Sequence, residues 1–134
     1  MARIDKYSGI TGGFRAPLNA AIAAGEIGKV RAVTINASGK VVIGAALGLY
    51  VGVICPGRAF AANGIIDVMT DGEIVDFDKE GSPEGPRAVI VPTAGSFWYA
   101  PATTGVPDNT ATGQPLGWCV ELSRLVVRVR SRAV

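Results

Sequence analysis

Short apolar runs rich in Val and Ile, each stopped by glycine, proline or aspartate, recur along the chain and predict strands rather than helices. Ile27–Asn36 and Lys40–Ala46 flank Ala37-Ser38-Gly39, which predicts a hairpin closed by a Ser-Gly turn. Leu49–Cys55 is an apolar run ended by Pro56-Gly57, the pattern of a buried strand running into a turn. Ile65–Thr70 and Glu73–Phe77 flank Asp71-Gly72, a pair that favours a type I′ hairpin because both central residues need positive φ. With two turn residues, Val68 faces Val75, Asp67 faces Asp76 and Ile66 faces Phe77. Ile66, Val68, Val75 and Phe77 then share one face, and the two aspartates sit opposite one another among Met69 and Ile74. Facing carboxylates repel unless a cation or proton lies between them.

Ala88–Val91, Phe97–Ala100, Leu116–Glu121 and Arg124–Arg130 complete a set of around eight short strands. The expected fold is all-β, a small antiparallel β-barrel or a β-tulip-like sandwich. A weak echo supports closure: a glycine, an aromatic and valines recur in the strand pair from Leu49 to Met69 and in the pair from Leu116 to Val129. Two stretches escape the pattern. Residues 1–16, broken by Gly9, Gly12 and Gly13, read as an extended N-terminal arm that orders only by lying on something else. Residues 17–134 form a single domain. Within it Pro17–Ala24 admits at most one short helix, or a coil, because so short a helix is unstable without packing. Residues 78–87 and 101–115 are polar, Pro-rich loops.

Composition narrows the chemistry. The 134 residues are enough for one core, and 49% hydrophobic against 18% charged excludes disorder for most of the chain. Histidine is absent, which removes the commonest base near neutral pH, the Ser-His-Asp and Cys-His arrangements and every imidazole metal site. No catalytic residue, cofactor or metal is therefore expected. Asp71 belongs to a Thr-Asp-Gly word in the wrong order for an aspartic protease. The run from Asp76 has Arg87 where a calcium loop needs its twelfth-position Glu. Cys55 and Cys119 lack CxxC spacing and are expected as buried thiols. The sequence has neither a signal-peptide pattern nor an apolar span of membrane length, which places synthesis and folding in a cytoplasm and predicts no membrane partner.

The net charge of +2 conceals a separation. Arg3, Lys6 and Arg15, with Tyr7 and Phe14, make the arm basic. Asp67, Asp71, Glu73, Asp76, Asp78 and Glu80 against Lys79 give the following segment −5. In the last strand Arg124, Arg128, Arg130 and Arg132 alternate with Leu125, Val127 and Val129, so period two puts the arginines on one face. An arginine-only stripe suits docking to a protein surface, whereas the acidic neighbour argues against nucleic acid. One arginine of that strand is expected between Asp67 and Asp76, from the same or a neighbouring subunit. Phe97-Trp98-Tyr99 and Trp118 offer an alternative of another class, a carbohydrate- or small-ligand-binding β-module using Trp98, Tyr99 and Trp118.

Across residues 20–131 the chain resembles the small capsid decoration, or cement, proteins of tailed bacteriophages. The words that carry the likeness are Ala37-Ser38-Gly39-Lys40-Val41, Asp67-Val68-Met69-Thr70-Asp71-Gly72, and Leu116-Gly117-Trp118-Cys119-Val120 with Val127-Arg128-Val129-Arg130, in that order. The Arg-rich last strand and the long Pro/Thr loop before it depart from the family pattern. The resemblance implies a non-enzymatic virion protein on the outer capsid surface, bridging subunits of the major capsid protein against internal pressure. It also implies a small homo-oligomer, a trimer first among the sizes, and an arm of residues 1–16 ordered on the capsid as an added strand.

Overall fold

The computed structural model describes residues 12–44, 50–74, 94–100, 104–108, 114–121 and 124–129. The expected strand at Ala88–Val91 lies outside them. Nine strands lie among the described residues: β1 (Gly13–Pro17), β2 (Arg31–Ile35), β3 (Val41–Ile43), β4 (Gly52–Ile54), β5 (Ile65–Met69), β6 (Asp71–Ile74), β7 (Phe97–Ala100), β8 (Gln114–Glu121) and β9 (Arg124–Arg128). They form two antiparallel sheets, one in the order β1-β5-β4-β2-β3 and one in the order β6-β9-β8-β7. The fold is thus an all-β sandwich, and the sheets do not close into a barrel.

The core between the sheets follows from strand alternation. Ala32 and Val53 point from the five-stranded sheet toward Trp98, Ala100, Cys119, Leu125 and Val127 of the four-stranded one, with Tyr50 wedged among them. Leu116 joins them through a bulge: Trp98 pairs with Gly117 and Tyr99 with Pro115, so Leu116 is skipped and turns inward. Gln114 ties the sheets together. Its side-chain oxygen accepts the Tyr50 N–H at 2.6 Å and its amide donates to the Tyr50 carbonyl at 2.8 Å, giving that residue a strand-like partner. Gln114→Ala removes both bonds and is expected to cost about 1–3 kcal/mol, read as a lower urea midpoint with an unchanged m-value. Burial raises the Tyr50 phenol above its usual pKa, while a backbone hydrogen bond at Gly105 pulls the other way. Gly105 also accepts the Ala32 N–H at 2.8 Å, and Asp108 exchanges backbone bonds with Tyr99, so residues 104–108 strap β7 to β2.

The five-stranded sheet has a second apolar face, carrying Val33, Val41, Ile54, Ile66 and Val68. Leu18 and Ile22 cover it, but not from a helix. A 3₁₀ turn occupies Ala24–Glu26, and residues before it run extended, with Ile22 bridged to Phe60 and Leu18 bonded to Asn63 and Gly64. Nucleating a helix of about two turns costs more than its few bonds return, while an extended ribbon lays both apolar side chains along the sheet. Phe60 is capped in turn by the Arg58 guanidinium, 4.0 Å from its ring centroid.

The β2–β3 hairpin forms as the sequence predicts. Gly39 takes φ 78°, and the Asn36 carboxamide accepts the backbone N–H groups of Ser38 and Lys40. The Asp71-Gly72 hairpin does not form. Neither residue has positive φ, and β5 and β6 lie in different sheets with only Thr70 between them. The Gly12 carbonyl takes the N–H groups of Thr70 (2.6 Å) and Asp71 (2.9 Å) and the Thr70 hydroxyl (3.0 Å), while the Thr70 carbonyl accepts the Val129 N–H at 2.9 Å. These bonds, with four register pairs between β6 and β9, outweigh a local turn preference.

Two further expectations change. Residues 13–16, assigned to the arm by their glycines, continue as an edge strand of the domain. The glycines serve close approach: a Cβ on Gly12 would stand 1.7 Å from the Asp71 carbonyl oxygen, and one on Gly13 1.9 Å from that of Val68. Cys119 is buried, but Cys55 is exposed because β4 ends one residue earlier than the apolar run, and neither forms a disulfide. The sequence echo has a structural counterpart. In each sheet the paired strands, β4–β5 and β8–β9, carry a glycine, Gly52 or Gly117, whose missing Cβ lets the next strand's backbone come close.

Candidate interaction surface

Strand β6 is the outermost described strand of the four-stranded sheet, and its alternation sends Ile74 inward and Asp71 and Glu73 outward. Beside it β9 buries Leu125, Val127 and the following Val129, and sends Arg124 and Arg128 to the same outer face. The expected two-sided character of the last strand is therefore present over the described part. Arg128 reaches Asp71, directly across the ladder, with Nη1 at 2.5 Å from Oδ1, and Arg124 Nη1 lies 3.1 Å from Glu73 Oε1. Both pairs are largely solvated, so each contributes little to stability. Their effect is to bias two long side chains toward the acidic edge of the face.

Next to the arginines come the aromatics. Trp118 on β8 lies opposite Val126 on one side and Phe97 on the other. The Arg128 guanidinium sits 5.8 Å from the Trp118 ring centroid, and Phe97 is tilted against the same ring at 6.3 Å. Phe97 is 56% exposed, and Val120, skipped in the register between Cys119 and Glu121, is 40% exposed. The outer face thus runs from acidic through basic to aromatic in adjacent columns. Arg, Trp and Phe held by ion pairs and ring contacts lose little freedom on docking, and such residues dominate protein interfaces.

The site residues expected from sequence divide three ways. Arg3, Lys6, Tyr7, Asp76, Arg130 and Arg132 lie outside the described residues. Arg124 and Arg128 lie on this face. Phe14, Arg15 and Asp67 lie elsewhere, on the β1–β5 ladder: Phe14 packs half-buried on the covered face of the five-stranded sheet, and Arg15 is opposite Asp67 with Nε 2.7 Å from Oδ1. Within the chain the cation beside Asp67 is Arg15 of β1, while Arg124 and Arg128 of β9, in the other sheet, pair with Glu73 and Asp71. Asp71 and Glu73 are the residues that sequence reasoning missed. Their alternation in a run facing an alternating arginine strand was the available signal.

The aromatic platform also changes. Trp98 is fully buried, its indole N–H donating to the Ser96 hydroxyl at 3.2 Å, and it presents no surface to a ligand. Among the described residues no cluster of three or more Cys, Asp or Glu is placed to hold a metal ion, and no helix is long and apolar enough to cross a membrane.

Comparison with known protein families gives no match, and comparison with curated proteins gives none. Among solved structures, a chain from Mycobacterium phage Patience superposes with a TM-score of 0.74. It is 19% identical in sequence, and the match covers 98% of this chain and 97% of that one. The sandwich, from end to end, is a fold found in a phage chain.

Proposed function

We propose that this protein decorates and stabilises the outside of an icosahedral phage capsid by bridging subunits of the major capsid protein. The observation that carries the reading is the match in fold to a chain of Mycobacterium phage Patience over 98% of this chain and 97% of that one. The resemblance of its ordered sequence words to phage decoration proteins supports it. So does the chemistry of the four-stranded sheet's outer face, where pre-positioned arginine and aromatic side chains suit a broad protein contact better than a small ligand. No enzymatic step is assigned. Each contact is weak on this reading, and many copies on one lattice supply avidity.

The test is sedimentation with shells assembled from the major capsid protein of the same genome. Saturable co-sedimentation is expected, together with a rise in the temperature at which the shells break open. Protein that stays in the supernatant at every shell concentration overturns the proposal.

A further inference from the structure

We propose that β1 is an exchangeable strand: residues 12–17 leave the β5 edge of their own domain and the same residues of a second copy of this chain take their place. The inference rests on the β1–β5 ladder and is independent of the capsid reading.

Side chains hold β1 only loosely. None of its five residues is fully buried, and the Arg15–Asp67 pair is exposed on both sides. What fixes it is the backbone ladder and the triple acceptor at Gly12. The residue after β1 is anchored quite differently. Leu18 is 1% exposed, donates its N–H to Gly64 and accepts from Asn63. Unpairing of β1 therefore stops at Pro17, which has no N–H to lose and whose fixed φ makes it a defined pivot.

A vacated edge is selective about what refills it. The N–H groups of Thr70 and Asp71 and the Thr70 hydroxyl all lose the Gly12 carbonyl, so the slot demands an occupant with an acceptor at that point. Backbone carbonyls of Asp71 and Val68 stand where a Cβ at positions 12 and 13 would go, so the occupant needs two consecutive glycines. Asp67 asks for a cation two residues further on. Gly12-Gly13 is the one Gly-Gly pair in the chain, and it is followed at that spacing by Arg15. The occupant that meets every condition is another copy of the same segment. Contacts within the slot are the same whichever copy supplies the strand, so the balance is set by the local concentration of neighbours, as in domain swapping.

The test uses the full chain with Cys55→Ser to remove the exposed thiol. Arg15→Cys and Asp67→Cys are made separately, in chains of different mass, then mixed under reducing conditions and oxidised. Both replaced side chains are exposed, and facing residues of an antiparallel ladder lie ~4.5–5.5 Å apart, within disulfide reach. The expected product is a chain pair linked through residues 15 and 67. It should rise with protein concentration and exceed the share predicted from the 15–15 and 67–67 products by more than about tenfold, because the ladder holds these thiols at a high effective concentration. The double variant, with both cysteines in one chain, reports whether the strand leaves at all. Closure within each chain at every concentration, with no 15–67 pair above the random share in the mixture, overturns the proposal.

Discussion

Trp98→Ala is expected to lower the stability of the protein by about 3–5 kcal/mol, a large part of the roughly 5–15 kcal/mol available to a domain. Trp98 is fully buried at the centre of the core between the sheets, among Val53, Ala100, Leu116 and Leu125. Its removal forfeits the transfer energy of a large ring and leaves a cavity that two hydrogen-bonded sheets cannot close around. The matched comparison is Trp118→Ala. Trp118 lies half-exposed on the outer face, with Arg128 and Phe97 as its ring contacts, and its loss should cost no more than about 1 kcal/mol. Urea unfolding followed by far-UV circular dichroism separates the two cases. Equal shifts of midpoint for the two tryptophans would contradict the assignment of one to the core and the other to the surface.

Gly117→Ala is expected to cost about 3 kcal/mol or more, although it adds a single methyl group. Gly117 lies inside the four-stranded sheet, paired with Trp98 on one side and Val127 on the other. A Cβ there would stand 1.8 Å from the Val126 carbonyl oxygen and 2.9 Å from its carbon. Those are backbone atoms in a central ladder, so no rotamer change relieves the contact, and β9 must shift away from β8. Gly57→Ala serves as the control, since its Cβ would meet nothing within 4 Å, and it should leave stability within about 0.5 kcal/mol of the parent. Thermal unfolding of the two variants is the measurement. A Gly117→Ala protein as stable as the control would mean that the two strands do not approach as described.

What the sequence made legible was whatever depended on neighbours along the chain. The β2–β3 hairpin follows from two β-branched runs and a turn built by Asn36 and Gly39, all within a dozen or so positions. The outward arginines and inward aliphatics of β9 follow from period two alone. Where partners come from far away, local signals misled. Asp71-Gly72 has turn chemistry, yet the chain runs straight through it from one sheet to the other because Gly12, some sixty positions earlier, and β9, some fifty later, supply the bonds. The partner of Asp67 was hidden for the same reason. Arg15 could be found only by recognising Gly13–Pro17 as a strand, and the glycines that let that strand lie close also erased its period. Which aromatics face outward was a matter of phase: alternation left either Trp98 or its two neighbours inward, and only the register with β8 decides that.

The position of Thr70 also constrains the order in which the protein is made. Its N–H and hydroxyl are held by Gly12, and its carbonyl by Val129. The first and the last described stretches of the chain therefore meet on one residue near its midpoint. During synthesis β5 and β6 emerge some fifty residues before β9, so the corner between the sheets can be only half bonded until β9 has left the ribosome. Such far-apart pairings place the chain among slow folders, with times of milliseconds to seconds.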